Sequence, residues 1–257
     1  MASRARCRSL VSPDEARPRL AALGFSPEDA DTLAAHFLWA EERGAASHGL
    51  MRIEWLEAAL DIDATARPRR VVHEPGYERW ESNGALGYLT LAAIVSAQLA
   101  DPPSTARIVV ASPVFPTGAL GYWTRQLADG GLVALLTATS PRRLSHPDGG
   151  PKLTGTNPLT IAIPSSDGRP VVTDVSMGKV THGDVLLGRA SEEDLVPFGG
   201  EHAHKAFALA VGLQLFVDAL TPGDDFGAVL VVARPERDPV PALRELAGGA
   251  RLPGDRG

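Results

Sequence analysis

Cysteine is nearly absent from this chain, and its scarcity narrows the classes of protein that the sequence can encode. Cys7 is the single cysteine among 257 residues, which excludes an internal disulfide and any metal centre built from several cysteines. Basic residues are outnumbered, with 25 Lys and Arg against 31 Asp and Glu. The net charge of -6 argues against nucleic acid and anionic membranes as partners. We interpret the basic start, Arg4, Arg6 and Arg8, as a solvated terminus.

Long apolar runs and glycine-rich nucleotide motifs are missing as well. We find no apolar run that reaches the roughly 18 residues of a membrane helix, and the N-terminus has no signal-peptide core. We therefore expect a cytoplasmic protein without a membrane partner. Neither G-x-G-x-x-G after a strand nor G-x-x-x-x-G-K-[ST] occurs, so the chain has no Rossmann fingerprint and no P-loop.

Apolar patterns divide the chain into a helical start and an alternating remainder. Ser12-Pro13 and Ser26-Pro27 each place a capping residue and a first-turn proline ahead of acidic residues, which predicts two helices. A third helix is expected after His48, with Leu60 on its apolar face. From Gly84 onward, strand-like and helix-like runs alternate, which indicates an α/β architecture. The predicted elements there are helices over 86–99, 118–129 and 204–220 and strands over 106–111, 132–138, 159–163, 171–174 and 228–233.

These patterns suggest three parts of unequal size. Residues 1–65 form a small helical unit, 66–233 an α/β core, and 234–257 a surface tail rich in Pro, Arg and Gly. The connector at 67–76 is expected to hold a short strand.

The segment Ser47-His48-Gly49-Leu50-Met51-Arg52 combines a residue suited to proton transfer with one suited to binding a carboxylate. The ordinary pKa of histidine lies near neutral pH, and the planar guanidinium of arginine binds carboxylates with two hydrogen bonds. His48 and Arg52 stand four apart, so on a helix both would point the same way. A solvated histidine at a helix end explains the segment equally well when it is taken alone.

Further segments extend this motif through most of the chain. They are 46–52 (ASHGLMR), 83–87 (NGALG), 118–123 (GALGYW), 153–158 (LTGTNP), Asp174 with Gly178-Lys179, 197–200 (PFGG), Lys205 with the helix after it, and 251–254 (RLPG). In this order they resemble the malate/L-lactate dehydrogenase-like family of non-Rossmann NAD(P)-dependent oxidoreductases. The resemblance implies an α/β fold with a mixed sheet and flanking helices, and a homodimer with active sites between subunits. It also implies metal-free reduction of 2-oxo or cyclic imino acids, or oxidation of 2-hydroxy acids, with NADH or NADPH.

The resemblance assigns roles to individual residues. His48 would donate the proton to the substrate, Ser47 would orient the histidine, and Arg52 would bind the substrate carboxylate. Thr156, Asn157 and Lys205 would also lie against the substrate, although Thr156-Asn157-Pro158 is equally well a plain turn before a strand. Residues expected on the cofactor side are Asp174, Ser176, Lys179, Gly199, Gly200 and Lys205.

Departures from the family pattern concentrate on the cofactor side. Pro116 stands where the family usually has a second histidine, and proline can neither donate nor accept a proton. Several dozen residues are missing between Lys179 and Pro197. Ala206 and Ala208 stand where the family has glycines after the lysine that corresponds to Lys205, and Gln214 stands where it has an acidic residue. The cofactor-binding part of the α/β core is therefore eroded, whereas the substrate side is kept.

Two functions follow from this asymmetry. In the first, the protein is an NAD(P)-dependent oxidoreductase acting on a small 2-oxo, 2-hydroxy or cyclic imino acid, with His48 as proton donor. In the second, the nicotinamide site is lost, and His48 catalyses a redox-neutral isomerisation, elimination or cyclisation of a carboxylate in specialised metabolism. The breadth of the family favours the first.

Other polar residues have weaker signals. Arg142, Arg143 or Lys152, just before the Gly-Thr-Asn-Pro turn, could balance an acidic substrate or simply belong to a surface loop. His182, His202 and His204 lack further ligands at metal spacing, so we predict no metal site.

Overall fold

A computed structural model of the protein describes residues 11–59 and 61–255. Cys7, the basic residues near the N-terminus and Leu60 lie outside this part of the chain. The eight described helices are α1 (Pro13–Ala22), α2 (Pro27–Glu42), α3 (Met51–Ala58), α4 (Gly87–Ala100), α5 (Leu120–Asp129), α6 (His182–Leu186), α7 (Ala203–Leu220) and α8 (Val240–Ala247). Short 3₁₀ turns cover Ala46–His48, Glu192–Asp194 and Gly200–His202.

The N-terminal helices form where the capping patterns predict them. Proline occupies the first turn of both α1 and α2, and the Oγ of Ser26 accepts the N–H of Asp29 at 3.2 Å. Leu33 and Phe37, four apart on α2, are completely buried. These side chains join residues of α4, α5 and the sheet in one continuous hydrophobic core. The three-part division of the chain stays a prediction.

One mixed sheet of seven strands organises the rest of the described chain. Its order is β1-β2-β3-β7-β4-β5-β6, and β2 with β3 is the parallel pair, whereas the other neighbours are antiparallel. The mixed α/β fold expected from the sequence is therefore confirmed. The strands are β1 (Arg69–Glu74), β2 (Tyr77–Glu81), β3 (Ala106–Ser112), β4 (Val133–Ala138), β5 (Leu159–Ile163), β6 (Val171–Val175) and β7 (Ala228–Ala233).

Strand β2 was not predicted, because a charged residue occupies its buried face. The carboxylate of Glu78 is fully buried and accepts hydrogen bonds from Trp80 Nε1 and Gln98 Nε2, each at 2.9 Å. Arg107 and Arg70 lie 3.3 and 3.1 Å from the same carboxylate. These hydrogen bonds and ion pairs compensate the buried charge of Glu78, which is the feature that makes the segment untypical of a strand.

Two further elements differ from the sequence prediction. Helix α5 begins at Leu120 rather than Gly118, because Gly118 has a φ of +69° that a right-handed helix does not allow. Helix α8 lies within the segment predicted as a surface tail, where no helix was predicted.

The expectation that no segment is long and apolar enough to cross a membrane was wrong. The helical stretch Gly200–Leu220 meets that criterion by length and composition, although polar residues interrupt its apolar run, and 22% of its most apolar 18-residue window is buried. Length and composition alone do not distinguish a membrane span from a helix that packs against protein.

Candidate active site

A cavity of about 420 Å³ opens between the turn that joins α2 to α3 and the loops that flank strands β3 to β6. Ser47, His48 and Arg52 line it together, so the structure brings the predicted catalytic segment to a concave site. Other lining residues are 115–120, 139–141, Arg143, Thr156, Pro158, Asp174, Ser176 and 181–183.

The turn that carries His48 is held tightly against α2. Glu41 Oε2 accepts the N–H of Leu50 at 3.2 Å, and a side chain at Gly49 would collide with the same carboxylate. A side chain at this position would displace the Glu41 carboxylate from the N–H of Leu50, so glycine after the histidine preserves this contact.

Arg52 lies on the first turn of α3 and folds back over the same segment. Its Nε donates to the carbonyl of Ser47 at 2.7 Å. A Cβ at Gly183 would lie 2.9 Å from its Nη2, so α6 closes over the guanidinium. The fork is thus fixed in the cavity wall, where it can bind an incoming carboxylate.

His48 is held in its neutral form. Burial, followed by the positive charge of Arg52, lowers its pKa to about 4, and Asp184 partly opposes this. The Nδ1 atom is buried without a hydrogen-bond partner, so the hydroxyl of Ser47 does not orient this nitrogen here.

Asp184 is a charged neighbour of His48 that sequence reasoning did not assign to the site. Its Oδ2 accepts hydrogen bonds from the backbone N–H and the hydroxyl of Thr181, at 3.0 and 2.7 Å, and so fixes the start of α6. The signal was a capping pattern, Thr181-x-x-Asp184, inside a region treated mainly as a deletion.

The shortened segment of the chain closes over the cavity rather than leaving it open. Gly178 and Pro197 form an antiparallel bridge, and the N–H of Lys179 donates to Val196 at 2.7 Å. Between Gly178 and Pro197, α6 packs so closely on the turn that carries His48 that a Cβ at Gly183 would lie 2.7 Å from the carbonyl oxygen of Ser47.

A second cavity of about 440 Å³ adjoins the first. Trp39, Arg43 and Asp174 line both cavities, and Arg125 and Arg251 contribute to the second alone. The site is therefore one composite groove with three arginines toward its second half.

Asp174 stands at the junction of the two cavities. Its carboxylate accepts the N–H of Gly121 at 2.8 Å. Burial of the carboxyl group raises the pKa of Asp174 to about 6, and the Gly121 hydrogen bond opposes this rise. Ser176, two residues on, lines the first cavity.

Comparison with known proteins places this chain in a family. The sequence profile of malate/L-lactate dehydrogenase matches residues 14–195. The chain belongs to the malate/L-lactate dehydrogenase family. The family and its named relatives are dehydrogenases and reductases, which makes this chain a member of a family of oxidoreductase enzymes.

Two curated relatives illustrate the range of this family. The chain is 28% identical to the Delta(1)-pyrroline-2-carboxylate/Delta(1)-piperideine-2-carboxylate reductase of Pseudomonas syringae pv. tomato, over 91% of this chain and 83% of the relative. It is 30% identical to the 2,3-diketo-L-gulonate reductase of Citrobacter koseri, over 70% of this chain and 55% of the relative. The chain thus spans little more than half of the second relative. The first alignment, at 296 positions, is longer than the chain and requires gaps within it.

Solved structures confirm the fold. The crystal structure of delta1-piperideine-2-carboxylate reductase from Pseudomonas syringae matches with a TM-score of 0.83 at 27% identity, covering 95% of this chain and 89% of that chain. Malate dehydrogenase from Pyrococcus horikoshii matches with a TM-score of 0.80 at 19% identity, covering 95% and 84%. This second likeness shows the fold alone.

The Thr156-Asn157-Pro158 turn divides its residues between the site and the packing behind it. Thr156 and Pro158 line the first cavity. Asn157 is fully buried at a φ of +28°, and its amide donates to Ala210 O at 3.1 Å and to Gln214 Oε1 at 3.0 Å. Asn157 therefore anchors the turn to α7, with Gln214 as its partner.

Four predicted ligand-binding residues lie away from both cavities. Lys179 is ion-paired with Asp194 at 2.7 Å. Gly199, Gly200 and Lys205 are exposed near the start of α7 and line neither cavity. Within this chain the groove is therefore formed without them.

His36 is a buried histidine that sequence reasoning missed. Its Nε2 accepts the N–H of Ala119 at 3.1 Å, while its Nδ1 has no partner. Burial, then the nearby His48, lowers the pKa of His36 to about 3, so the ring is neutral. The ring supports the loop after Pro116, and its place inside a helix face of apolar residues had hidden it.

Proposed function

We propose that this protein is an NAD(P)H-dependent reductase of small 2-oxo or cyclic imino acids. The observation that carries this proposal is the joint presence of His48 and Arg52 in the wall of one cavity. The named relatives support it, since they include a reductase of cyclic imino carboxylates and a reductase of a diketo acid.

The chemistry of the two residues is complementary. Arg52 binds the substrate carboxylate through its fork, and this holds the neighbouring C=O or C=N group beside His48. Because the charge of Arg52 lowers the pKa of His48, a bound carboxylate offsets that charge and raises this pKa. His48 therefore becomes easier to protonate when substrate is present, and it delivers the proton to the substrate oxygen or nitrogen.

The composite groove is lined by polar and basic side chains that are suited to binding a nicotinamide dinucleotide. The side chains that would hold it are Asp174 and Ser176 at the junction, and Arg43, Arg125 and Arg251 in the second cavity. Three guanidinium groups suit phosphates, and their number favours NADPH over NADH. When bound, the cofactor supplies the hydride.

A redox-neutral reaction is the second candidate function. It is favoured by Pro116, which lines the first cavity in place of the family histidine, and by the position of Lys179 and Lys205 outside both cavities. In that case His48 would act as acid and base on a carboxylate held by Arg52, as in an isomerase, lyase or cyclase.

Titration with NADPH and with NADH separates the two functions. We expect micromolar binding of NADPH to the wild type and to His48→Ala, followed by turnover of 2-oxo or imino acids by the wild type only. Absence of binding at millimolar nucleotide would refute the reductase and favour the redox-neutral enzyme.

We further propose that the protein is a cytoplasmic homodimer whose interface includes α7. Leu209, Phe216 and Leu220 lie along one face of this helix and are 40–52% exposed. Apolar side chains on one helix face are typical of a surface that packs against protein. Light scattering of the purified protein should give the dimer mass, and Phe216→Glu should give the monomer. A wild-type monomer, or association with vesicles in place of dimerisation, would contradict this assembly.

A further inference from the structure

The first cavity has more positive charge than one substrate carboxylate requires. Its lining includes Arg43, Arg52 and Arg143, whereas Asp174 is the one carboxylate among the lining residues. Asp174 and Arg43 lie at the junction with the second cavity, which leaves Arg52 and Arg143 at the catalytic end.

Arg143 is positioned by the backbone. Its N–H donates to the carbonyl of Thr154 at 2.7 Å, and the next residue, Leu144, forms an isolated bridge with Thr154. Leu144 is completely buried and fixes this crossing. The side chain of Arg143 is 25% exposed, so it lies in the cavity wall rather than in bulk solvent.

The existing partner of Arg143 is weak and shared. Its Nη1 lies 4.0 Å from Glu192, beyond hydrogen-bond distance. The same carboxylate is 3.7 Å from Lys152 and 3.6 Å from His182, and it is half exposed. One exposed carboxylate therefore faces three basic groups at long range, and the Arg143 fork keeps its donors for another anion.

His182 connects this cluster to the catalytic residues. It lines the cavity, and burial followed by the charge of Arg143 lowers its pKa; Glu192 opposes this shift, and Arg52 adds to it. Arg52 and Arg143 therefore both act on His182, and the cavity between them has a positive potential.

We propose that Arg143 binds a second anionic group of the substrate, so that the substrate is a 2-oxo or imino dicarboxylate. Arg52 takes the carboxylate next to the reacting carbon, and Arg143 takes the carboxylate at the other end. This inference rests on the proposed function for the type of reaction. The assignment of a second substrate carboxylate rests on Arg143 alone.

The test compares pairs of 2-oxo acids of equal chain length that differ in a terminal carboxylate. We expect the wild type with NADPH to show a higher kcat/KM for 2-oxoglutarate than for 2-oxovalerate. Arg143→Gln should lower kcat/KM for the dicarboxylate by about 10- to 100-fold, the range for losing a charge-assisted hydrogen bond, and change that for the monocarboxylate by less than about 2-fold.

Arg142→Gln is the matched control, because Arg142 is the exposed neighbour and lines neither cavity. It should leave both values unchanged. Equal preference of the wild type for the two acids, or an equal loss for both in Arg143→Gln, would overturn the assignment. Thermal melts of both variants identify a loss that comes from misfolding.

Binding without cofactor separates this inference from the proposed function. Calorimetry with 2-oxoglutarate and 2-oxovalerate alone should show tighter binding of the dicarboxylate, lost in Arg143→Gln. If this holds while no nicotinamide nucleotide binds, the reductase is wrong and the subsite stands. If NADPH binds and monocarboxylates react, but dicarboxylates show no higher affinity or kcat/KM, the reductase stands and the subsite is wrong.

Discussion

The two halves of the composite groove are built on different physical terms. In the first, His48 and Arg52 lie on a turn held by Glu41 and covered by α6, with backbone and side chains in close contact. In the second, Arg125 and Arg251 surround a space between α5 and the C-terminal segment, and Arg125 Nη1 donates to the carbonyl of Gly254 at 3.0 Å. The geometry of the first half depends on close packing between specific residues, whereas the second half is defined mainly by its positive charge.

Under the proposed function, this difference accounts for the family pattern at 46–52 and for the expected departures on the proposed cofactor side. Proton transfer and carboxylate alignment require positions fixed to fractions of an ångström, so few sequences satisfy them. A phosphate group is bound by any suitably placed cations, and several arrangements of arginines serve equally well. A shorter chain on the proposed cofactor side is therefore compatible with the proposed function.

The largest expected effect is on the first half of the groove. His48→Gln removes the proposed proton donor and should lower kcat by about 10²- to 10⁴-fold, with NADPH affinity unchanged. Steady-state kinetics and fluorescence titration measure the two quantities. His202→Gln, at an exposed histidine that lines neither cavity, should behave as the wild type. Equal activity of both variants would remove His48 from the mechanism.

A glycine pair tests how tightly the first half is packed. Gly118 and Gly131 both have positive φ, +69° and +81°, but a Cβ at Gly118 would collide with His36 and lie 2.5 Å from Tyr88, whereas Gly131 has nothing within 4 Å. Gly131→Ala should cost about 1–2 kcal/mol of unfolding free energy, and Gly118→Ala about 1–3 kcal/mol more. Urea denaturation decides this, and equal losses would show that the cavity wall yields.

A smaller effect is expected in the second half. Arg125→Gln should raise the KM for NADPH about 10-fold and change kcat by less than about 2-fold, since one charge-assisted contact among three arginines is lost. The effect should shrink at high salt. Arg237→Gln, an exposed arginine outside both cavities, is the control. A loss of kcat with unchanged KM would mean that the two halves are not separable in this way.

The smallest effect concerns the junction. The raised pKa of Asp174, about 6 against an ordinary 3.8, means that the folded protein retains a proton that the unfolded chain releases. The stability contributed by this group is therefore full below about pH 4 and falls as the pH rises through 6. Asp174→Asn keeps an acceptor for Gly121 and should gain stability over the wild type between pH 4 and 7. A difference that does not change with pH, measured by urea denaturation, would show that Asp174 has no raised pKa.

Sequence reasoning predicted most strands and helices because their signals are local. The Ile108-Val109-Val110 run and the proline-capped starts of α1 and α2 depend only on nearby residues. Strand β2 was missed because Glu78 is made tolerable by Arg107, which comes from another strand. At the site, the His48–Arg52 pair was visible in one segment, whereas Asp184 and His36 approach it from elsewhere in the chain.

Local sequence signals were sufficient for most elements and for the turn with His48 and Arg52, since capping, apolar period and residue spacing are properties of short segments. Which charges share a cavity depends instead on the tertiary structure. Arg142 and Arg143 are adjacent, yet one faces solvent and the other lines the site. Arg125 and Arg251 are far apart in the chain but line one cavity. The electrostatic field at a point depends on distances in space, and these are set by how the chain returns on itself.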